Sequence, residues 1–219
     1  MTTYVITGAN RGIGLELCKQ LKEQGNKVIA ACRKATTELT NLGVEVIEGI
    51  DVNEQESINN LAQNLQNTKI DVLINNAGVW GDEDIGGFDA DKISSVIKTN
   101  AISPMMLTEA LLDNLSSGSK VIMITSRMGS IADNESGGRY SYRMSKAALN
   151  AASKSLSIDL KDKDIAVGII HPGHVATDMG GPQGIPVEES ASNIIARINE
   201  CDLSNTGRFM HANGEELPW

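Results

Sequence analysis

The chain has 219 residues, 41% of them hydrophobic and 21% charged, which is enough to bury one sizeable core and short for two. Its formal charge of -9 argues against nucleic acid or an anionic membrane as partner, since both are bound through a cationic face, and it requires any phosphate site to be local. No run approaches about 18 uninterrupted apolar residues and no basic leader stands before the first strand-like residues, so the expectation is a cytoplasmic protein of one domain, residues 1–219, with no membrane span.

The first apolar, β-branched run is TYVIT (3–7), which leads through the turn TGANRGIG (7–14) into a helix-compatible stretch over 12–24. KVIAAC (27–32) follows as a second strand, and the interval from Lys34 to Gly43 leaves room for only a very short helix before VEVIEGI (44–50). Next come a helix over 54–66, the strand IDVLIN (70–75), a long helix over 89–114, the strand KVIMIT (120–125), a helix over 140–161, the strand IAVGII (165–170) and a helix over 188–199. The strand runs are nearly continuous in apolar character, as strands buried on both faces are. Their alternation with helices predicts an α/β fold, a Rossmann-type doubly wound parallel sheet in a single domain. Cys18, Cys32 and Cys201 are odd in number and far apart, so they read as small buried hydrophobes. His171, His174 and His211 have no ligand spacing with carboxylates or cysteines, and no metal is implied.

In TGANRGIG the backbone N–H groups that open the helix can face a phosphate. Gly8, Gly12 and Gly14 can supply the tight turn, the close approach to a pyrophosphate and the close helix packing that such a site needs. The acidic residue that would hold a ribose 2′-hydroxyl about 20 positions on is missing, and Cys32 and Arg33 stand there instead. With Arg11 inside the loop, two guanidiniums suited to a phosphate fork favour NADPH over NADH. Further on, YRMSK (142–146) holds a tyrosine and a lysine one helical turn apart. Alone, that spacing describes many surface helices, and a phenol with a pKa near ~10 is a poor acid at neutral pH.

Together these motifs resemble the short-chain dehydrogenase/reductase family in its compact form, over essentially the whole length. TGANRGIG is similar to the family's cofactor loop and brings Gly8, Asn10, Arg11, Gly12, Ile13 and Gly14 to the cofactor. Asp51 and Val52 match the pair that meets the adenine, and NNAG, with Asn76, Ala77 and Gly78, matches the motif beside the cofactor. HPGHVATDMGG (171–181) matches the segment along the nicotinamide, placing Pro172, Gly173, Val175 and Thr177 there. The same resemblance puts catalytic roles on Asn100 in KTNAISP, Ser126 in ITSRMG, and Tyr142 and Lys146 in YRMSK. Within the family, YRMSKAALNAA, TDMGG and the tail GRFMHANGEELPW are similar to carbonyl reductases of the sniffer and C-factor kind. Two departures stand out. Ser126 lies 16 residues before Tyr142, a little more than the commonest family spacing, and the region after Thr177 is shortened to about MGGPQGIPVEES, so the substrate's shape is not legible.

The resemblance implies an NADP(H)-dependent oxidoreductase of a small-molecule ketone or aldehyde. Tyr142 would give its proton to the carbonyl oxygen, Lys146 would stabilise the phenolate and hold the nicotinamide ribose, and Ser126 would hydrogen-bond the substrate oxygen. Tyr142 and Lys146 thereby count among the cofactor-binding residues, and the lysine is expected to bring the phenol closer to neutrality. Pro104 adds a point from helix geometry. In an α-helix the N–H of residue 104 would bond the Asn100 carbonyl, and proline has none, so that carbonyl is left for a water linking Lys146 to solvent. The small residues of AALNAASKSLSI (147–158) suit a flat face against the sheet or a second subunit, and a homodimer is expected. The alternative of a different class is a cofactor-binding signalling or scaffold protein of the C-factor kind, which consumption of NADPH with carbonyls would exclude.

Overall fold

Side chains alternate across each strand, and in this protein both sides meet a core. The computed structural model describes residues 1–219. On one sheet face lie Tyr4 and Ile6 of β1 (Thr3–Thr7), Val28 and Ala30 of β2 (Lys27–Ala31), Val72 and Ile74 of β4 (Ile70–Asn75), and Ile122 and Ile124 of β5 (Leu115–Ile124). The intervening Val5, Ile29, Leu73, Val121 and Met123 enter a second core on the other face. Burial on both sides is why these runs lack the polar alternation of a half-exposed strand.

Two helices cover the first face, with Leu17, Cys18 and Leu21 of α1 (Gly12–Glu23) and Ile194, Ile195 and Ile198 of α7 (Val187–Glu200) inserted at helical spacing. The one-turn α2 (Thr37–Asn41), capped by the Thr36 hydroxyl accepting from the Leu39 N–H, adds Leu39. The second face is closed by Ile58 and Leu61 of α3 (Gln55–Asn64), Leu107 of α5 (Ser103–Ala110) and Leu149 of α6 (Tyr140–Asp159). Each such side chain, fully buried, stabilises the fold by about 1.5–3 kcal/mol. The remaining elements are α4 (Ala90–Ile97), begun by the Asp89 carboxylate accepting from two backbone N–H groups, and β3 (Glu45–Ile47), β6 (Ala166–His171) and β7 (Phe209–His211).

The sheet order is β3-β2-β1-β4-β5-β6-β7, every pairing parallel. The chain runs outward from β1 to β3, returns to lay β4 beside β1, and runs outward the other way. Loops after β1 and β4 therefore diverge to opposite sides and leave a crevice at the strand ends. The glycine turn, NNAG, Ser126 and the His171-Pro172 segment all follow strand ends along this edge.

Three details depart from the sequence reading. The stretch expected as one helix over 89–114 is α4, a π-helical segment Lys98–Ile102, α5 and a short 3₁₀ turn. At the π turn the Ser103 N–H and Oγ both donate to the Lys98 carbonyl, immediately before Pro104. Asn100 thus sits in an inserted bulge rather than in a regular α-turn, so the i→i−4 pairing assumed between residues 104 and 100 is not the local geometry. β5 starts at Leu115, not 120, because Leu115 pairs with Ile70 across a register shift that the Ser119 hydroxyl bridges by donating to the Ile70 carbonyl. β7 is an additional edge strand of three residues, joined to β6 from Ile169↔Phe209 to His171↔His211. All three cysteines are free and buried, and burial pushes the Cys18 thiol up to about 12 and the Cys201 thiol up to about 11.

Candidate active site

The floor of the site is a set of main-chain turns fastened by two side chains. The Thr7 hydroxyl, at the end of β1, accepts from the Asn76 and Ala77 N–H groups at 3.1 Å each. The Asn76 amide donates back to the Thr7 and Gly8 carbonyls at 2.9 and 3.2 Å. Gly8 has φ +63°, and a Cβ there would lie 2.9 Å from the Ala77 Cα; a Cβ at Gly14 would run into the Gly8 carbonyl and come within 2.6 Å of the Asn76 amide. The start of α1 is thus pressed onto the turn so closely that only glycine fits, and α1's free N–H groups open onto the crevice. Gly78 continues this packing, 3.2 Å in the same sense from Asn100 Oδ1, and Ile13 packs against the first core.

The polar residues assigned to the adenosine end follow the same crevice. Asn10 donates to the Lys34 carbonyl at 3.0 Å and its own carbonyl accepts from Thr36 Oγ1 at 3.1 Å, tying the glycine turn to the end of β2 beside Arg33. Arg33 is exposed and pairs with no carboxylate. Arg11 is 3.4 Å from Asp178 in a solvent-exposed ion pair; such a pair is worth little and yields readily to a phosphate. Asp51 accepts from the Asn53 N–H at 3.0 Å, fixing the turn that carries Val52 toward Ala77 and Thr99.

The four catalytic candidates are brought together by short links. Asn100 holds the backbone of Val79 at both ends, accepting from its N–H at 2.8 Å and donating to its carbonyl at 2.9 Å, and it also donates to Ser145 Oγ of α6 at 3.0 Å. Ser126 caps the 3₁₀ turn Arg127–Gly129, accepting from the Met128 N–H at 3.1 Å. That turn lies directly on α6, where a Cβ at Gly129 would come within 2.7 Å of the Lys146 backbone. Lys146 is buried and donates to the Ile124 carbonyl at 2.9 Å, with Nζ 5.8 Å from the Tyr142 ring centre. Burial brings its pKa down to about 8.

Tyr142 departs from the expected acidification. Burial pushes the phenol above its ordinary value, and the Ser126 hydroxyl offsets only part of that. The lysine aligned one turn away is itself desolvated, so the chain's own residues hold the proton on the phenol, the form from which a general acid donates.

The segment after β6 folds back over the glycine turn. Pro172 accepts from Ser190 Oγ at 2.8 Å, Gly173 adopts φ +92° against Ile185 and His211, and Val175 bridges to Ile185. The Thr177 methyl faces Gly12, and its hydroxyl accepts from the Gly180 N–H at 3.1 Å. The short stretch through 181–185 closes on itself, with the Ile185 N–H donating to the His174 carbonyl at 2.9 Å. His171 and His211 meet edge-to-face at 4.8 Å, and burial holds His171 down at about 3, uncharged.

Two site features escaped the sequence reading. Thr7 closes the floor, and its only signal was a polar residue ending an apolar strand. Trp80 lies with its ring centre 4.5 Å from that of Tyr142; it stands two residues after NNAG, in a stretch without periodicity.

The family model of the short chain dehydrogenases matches residues 2–185. The chain belongs to the short-chain dehydrogenase family. It is 38% identical to 1-hydroxy-2-glutathionyl-2-methyl-3-butene dehydrogenase of Rhodococcus sp. (strain AD45) over the full length of both chains, and 42% identical to the C-signal of Myxococcus xanthus over 72% of this chain and 98% of that one. Among solved structures it is similar to the carbonyl reductase Sniffer of D. melanogaster, with TM-score 0.93 and 32% identity over all of both chains. It is also similar to the NADPH-bound carbonyl reductase from chicken fatty liver, with TM-score 0.91 and 29% identity over 100% of this chain and 99% of that one.

Proposed function

We propose that this short-chain dehydrogenase is an NADPH-dependent reductase of ketones or aldehydes, with Tyr142 as the proton donor. The observation that carries the reading is the approach of Tyr142, Ser126, Lys146 and Asn100 to one another beside a glycine-only turn at the strand ends. The NADPH-bound state of the chicken carbonyl reductase supports the choice of cofactor.

The residues present fit that cofactor. The turn 7–14 would take the pyrophosphate on its N–H groups, Arg33 and Arg11 the 2′-phosphate, Asp51 and Val52 the adenine, Asn76 to Gly78 the middle, and Pro172, Gly173, Val175 and Thr177 the nicotinamide. When bound, the reduced nicotinamide supplies the hydride for the carbonyl carbon. Tyr142 gives the carbonyl oxygen its proton, and Ser126 donates to the same oxygen as charge grows on it. Lys146, in its cationic form, would stabilise the phenolate and would hold the ribose hydroxyls of the bound cofactor. Asn100 positions the Val79 backbone and, through Ser145, the helix bearing Tyr142.

Arg33→Ala is expected to weaken NADPH binding by about 10- to 150-fold, the equivalent of one charge-assisted contact of roughly 1.5–3 kcal/mol, while NADH binding changes little. Arg11→Ala should do less, because its guanidinium is shared with Asp178. Titration of both cofactors into both variants tests this, and equal affinity of the unaltered protein for NADPH and NADH would refute it.

The cytoplasm is the proposed setting, and the proposed assembly is a homodimer. Met144, Ala148, Ala151, Ser155 and Ile158 form an exposed stripe of small and apolar side chains along α6, with Ile102 also exposed on the π turn packed against that helix. Ala151→Glu should then sediment as a monomer where the unaltered protein sediments as a dimer, and a monomeric unaltered protein would contradict the assignment.

A second reading, a signalling or scaffold protein that binds the cofactor without turning over, draws on the likeness to C-signal. The complete set Asn100, Ser126, Tyr142 and Lys146 weighs against it. Oxidation of NADPH in the presence of a ketone panel separates the two.

A further inference from the structure

The loop between β4 and α4 has no regular secondary structure, yet it is fastened at several points to the residues that would do the chemistry. Asn100 grips Val79 of this loop, accepting from its N–H and donating to its carbonyl. Trp80 follows, tilted 42° against the buried Tyr142 ring and itself 41% exposed. Glu83, nearly buried, accepts a hydrogen bond from Oγ of the fully buried Ser141, the residue before Tyr142. Its carbonyl accepts from the Tyr140 N–H at 3.4 Å, and Gly81 leaves no room for a side chain because Ser141 Oγ occupies that space.

The start of α6 is shaped for this contact. Arg139 takes a left-handed backbone at φ +54°, which is unfavourable for a side chain of this kind by roughly 1–2 kcal/mol. Its guanidinium reaches back to the Asp82 carbonyl at 3.4 Å and to Asp84 at 3.7 Å, and the Phe88 ring meets that of Tyr140 edge-on at 4.8 Å. Beside the proton donor, a loop tethered this way presents a half-exposed indole that the tethering itself does not need. Partly exposed aromatics beside a reactive group are the surfaces on which ligands pack.

The nearby cations are already engaged. Arg127 pairs with Asp133 and Glu215, Arg139 with Asp84, and Arg143 donates to the carbonyls of Met128, Gly137 and Gly138.

We infer that Trp80 is a wall of the substrate site, held against Tyr142 by the Glu83–Ser141 hydrogen bond, and that it selects carbonyl compounds with a flat aromatic group next to the carbonyl. Trp80 is a specificity residue, and Glu83 and Ser141 are positioning residues acting through it. The substrate class rests on the reductase reading given above; the tether does not.

The test compares acetophenone with cyclohexanone, NADPH being the reductant. Trp80→Ala is expected to lower the acetophenone-to-cyclohexanone ratio of kcat/KM by at least about 10-fold, mainly through KM, and Trp80→Phe to keep it within about threefold. Glu83→Ala should lower the ratio in the same way, whereas Glu83→Gln, which can still accept from Ser141, should restore it. A merely structural role would instead lower Tm and turnover alike for both ketones. With Trp219→Phe in the background Trp80 is the only indole of the two in the sequence, and Glu83→Ala should shift its emission to longer wavelength and raise its quenching by acrylamide, again with Glu83→Gln near the parent. An unchanged ratio in Trp80→Ala overturns the wall, and unchanged Trp80 emission in Glu83→Ala overturns the tether. If the unaltered protein reduces neither ketone nor any other carbonyl, the reductase reading and the substrate class fall together, and the emission comparison still decides the tether.

Discussion

Tyr142→Phe should lose at least about 10²-fold in kcat while binding NADPH within about threefold of the unaltered protein. The substitution deletes one oxygen and leaves the ring to pack beneath Trp80. It also removes the partner of the Ser126 hydroxyl, which keeps its second contact as acceptor from the Met128 N–H. Because the phenol is already held protonated by burial, no charge is removed from the fold, and Tm should change by only a few degrees. Steady-state kinetics with a fluorescence titration of NADPH measures both quantities. Near-normal turnover would remove Tyr142 from the chemistry.

Lys146→Met should separate stability from activity. A lysine whose folded pKa is about 8 against an ordinary 10.5 destabilises the fold at neutral pH by roughly 3 kcal/mol. The sign follows from proton counting. Between the two pKa values the unfolded chain binds more protons than the folded one, so stability rises as pH climbs from about 8 to 10.5, and the full penalty is present below 8. Methionine fills much the same volume without the charge, but it leaves the Ile124 carbonyl without its donor, a loss of about 1–3 kcal/mol. The two nearly cancel at neutral pH. The expected result is a Tm within a few degrees of the parent or above it, a flatter rise of stability above pH 8, and a kcat reduced by at least about 10²-fold, because the phenolate left by proton transfer loses its cation. Urea unfolding across that pH range, alongside kinetics, provides the check. An unaltered pH slope would place the lysine in a wetter setting than the structure does.

The strands were legible in the sequence because both of their faces are buried, so β1, β2, β4 and the apolar part of β5 appear as unbroken β-branched runs. β7 was not legible, since three residues carry no period, and Phe209-Met210-His211 becomes a strand only by pairing with β6. The π turn at 98–102 was hidden for a related reason. Pro104 signals a disturbed helix, but whether the chain kinks or inserts a residue depends on the Ser103 hydroxyl reaching Lys98, which spacing does not reveal. Among the site residues, the glycines carried their own signal, because the Gly14 contact with Gly8 tolerates nothing larger. Trp80 carried none, since what places it on Tyr142 is a carboxylate and a hydroxyl 58 positions apart in the chain.

The central claim is that a hydride passes from the nicotinamide to a carbonyl carbon at Tyr142, and isotope transfer tests it most directly. The unaltered protein, a ketone, and NADPH deuterated at C4 on one face or the other should give an alcohol bearing one deuterium on its carbinol carbon with one face only, with Tyr142→Phe slowed by at least about 10²-fold in the same assay. An alcohol without deuterium from either face, or no alcohol across a panel of ketones and aldehydes, would contradict the account.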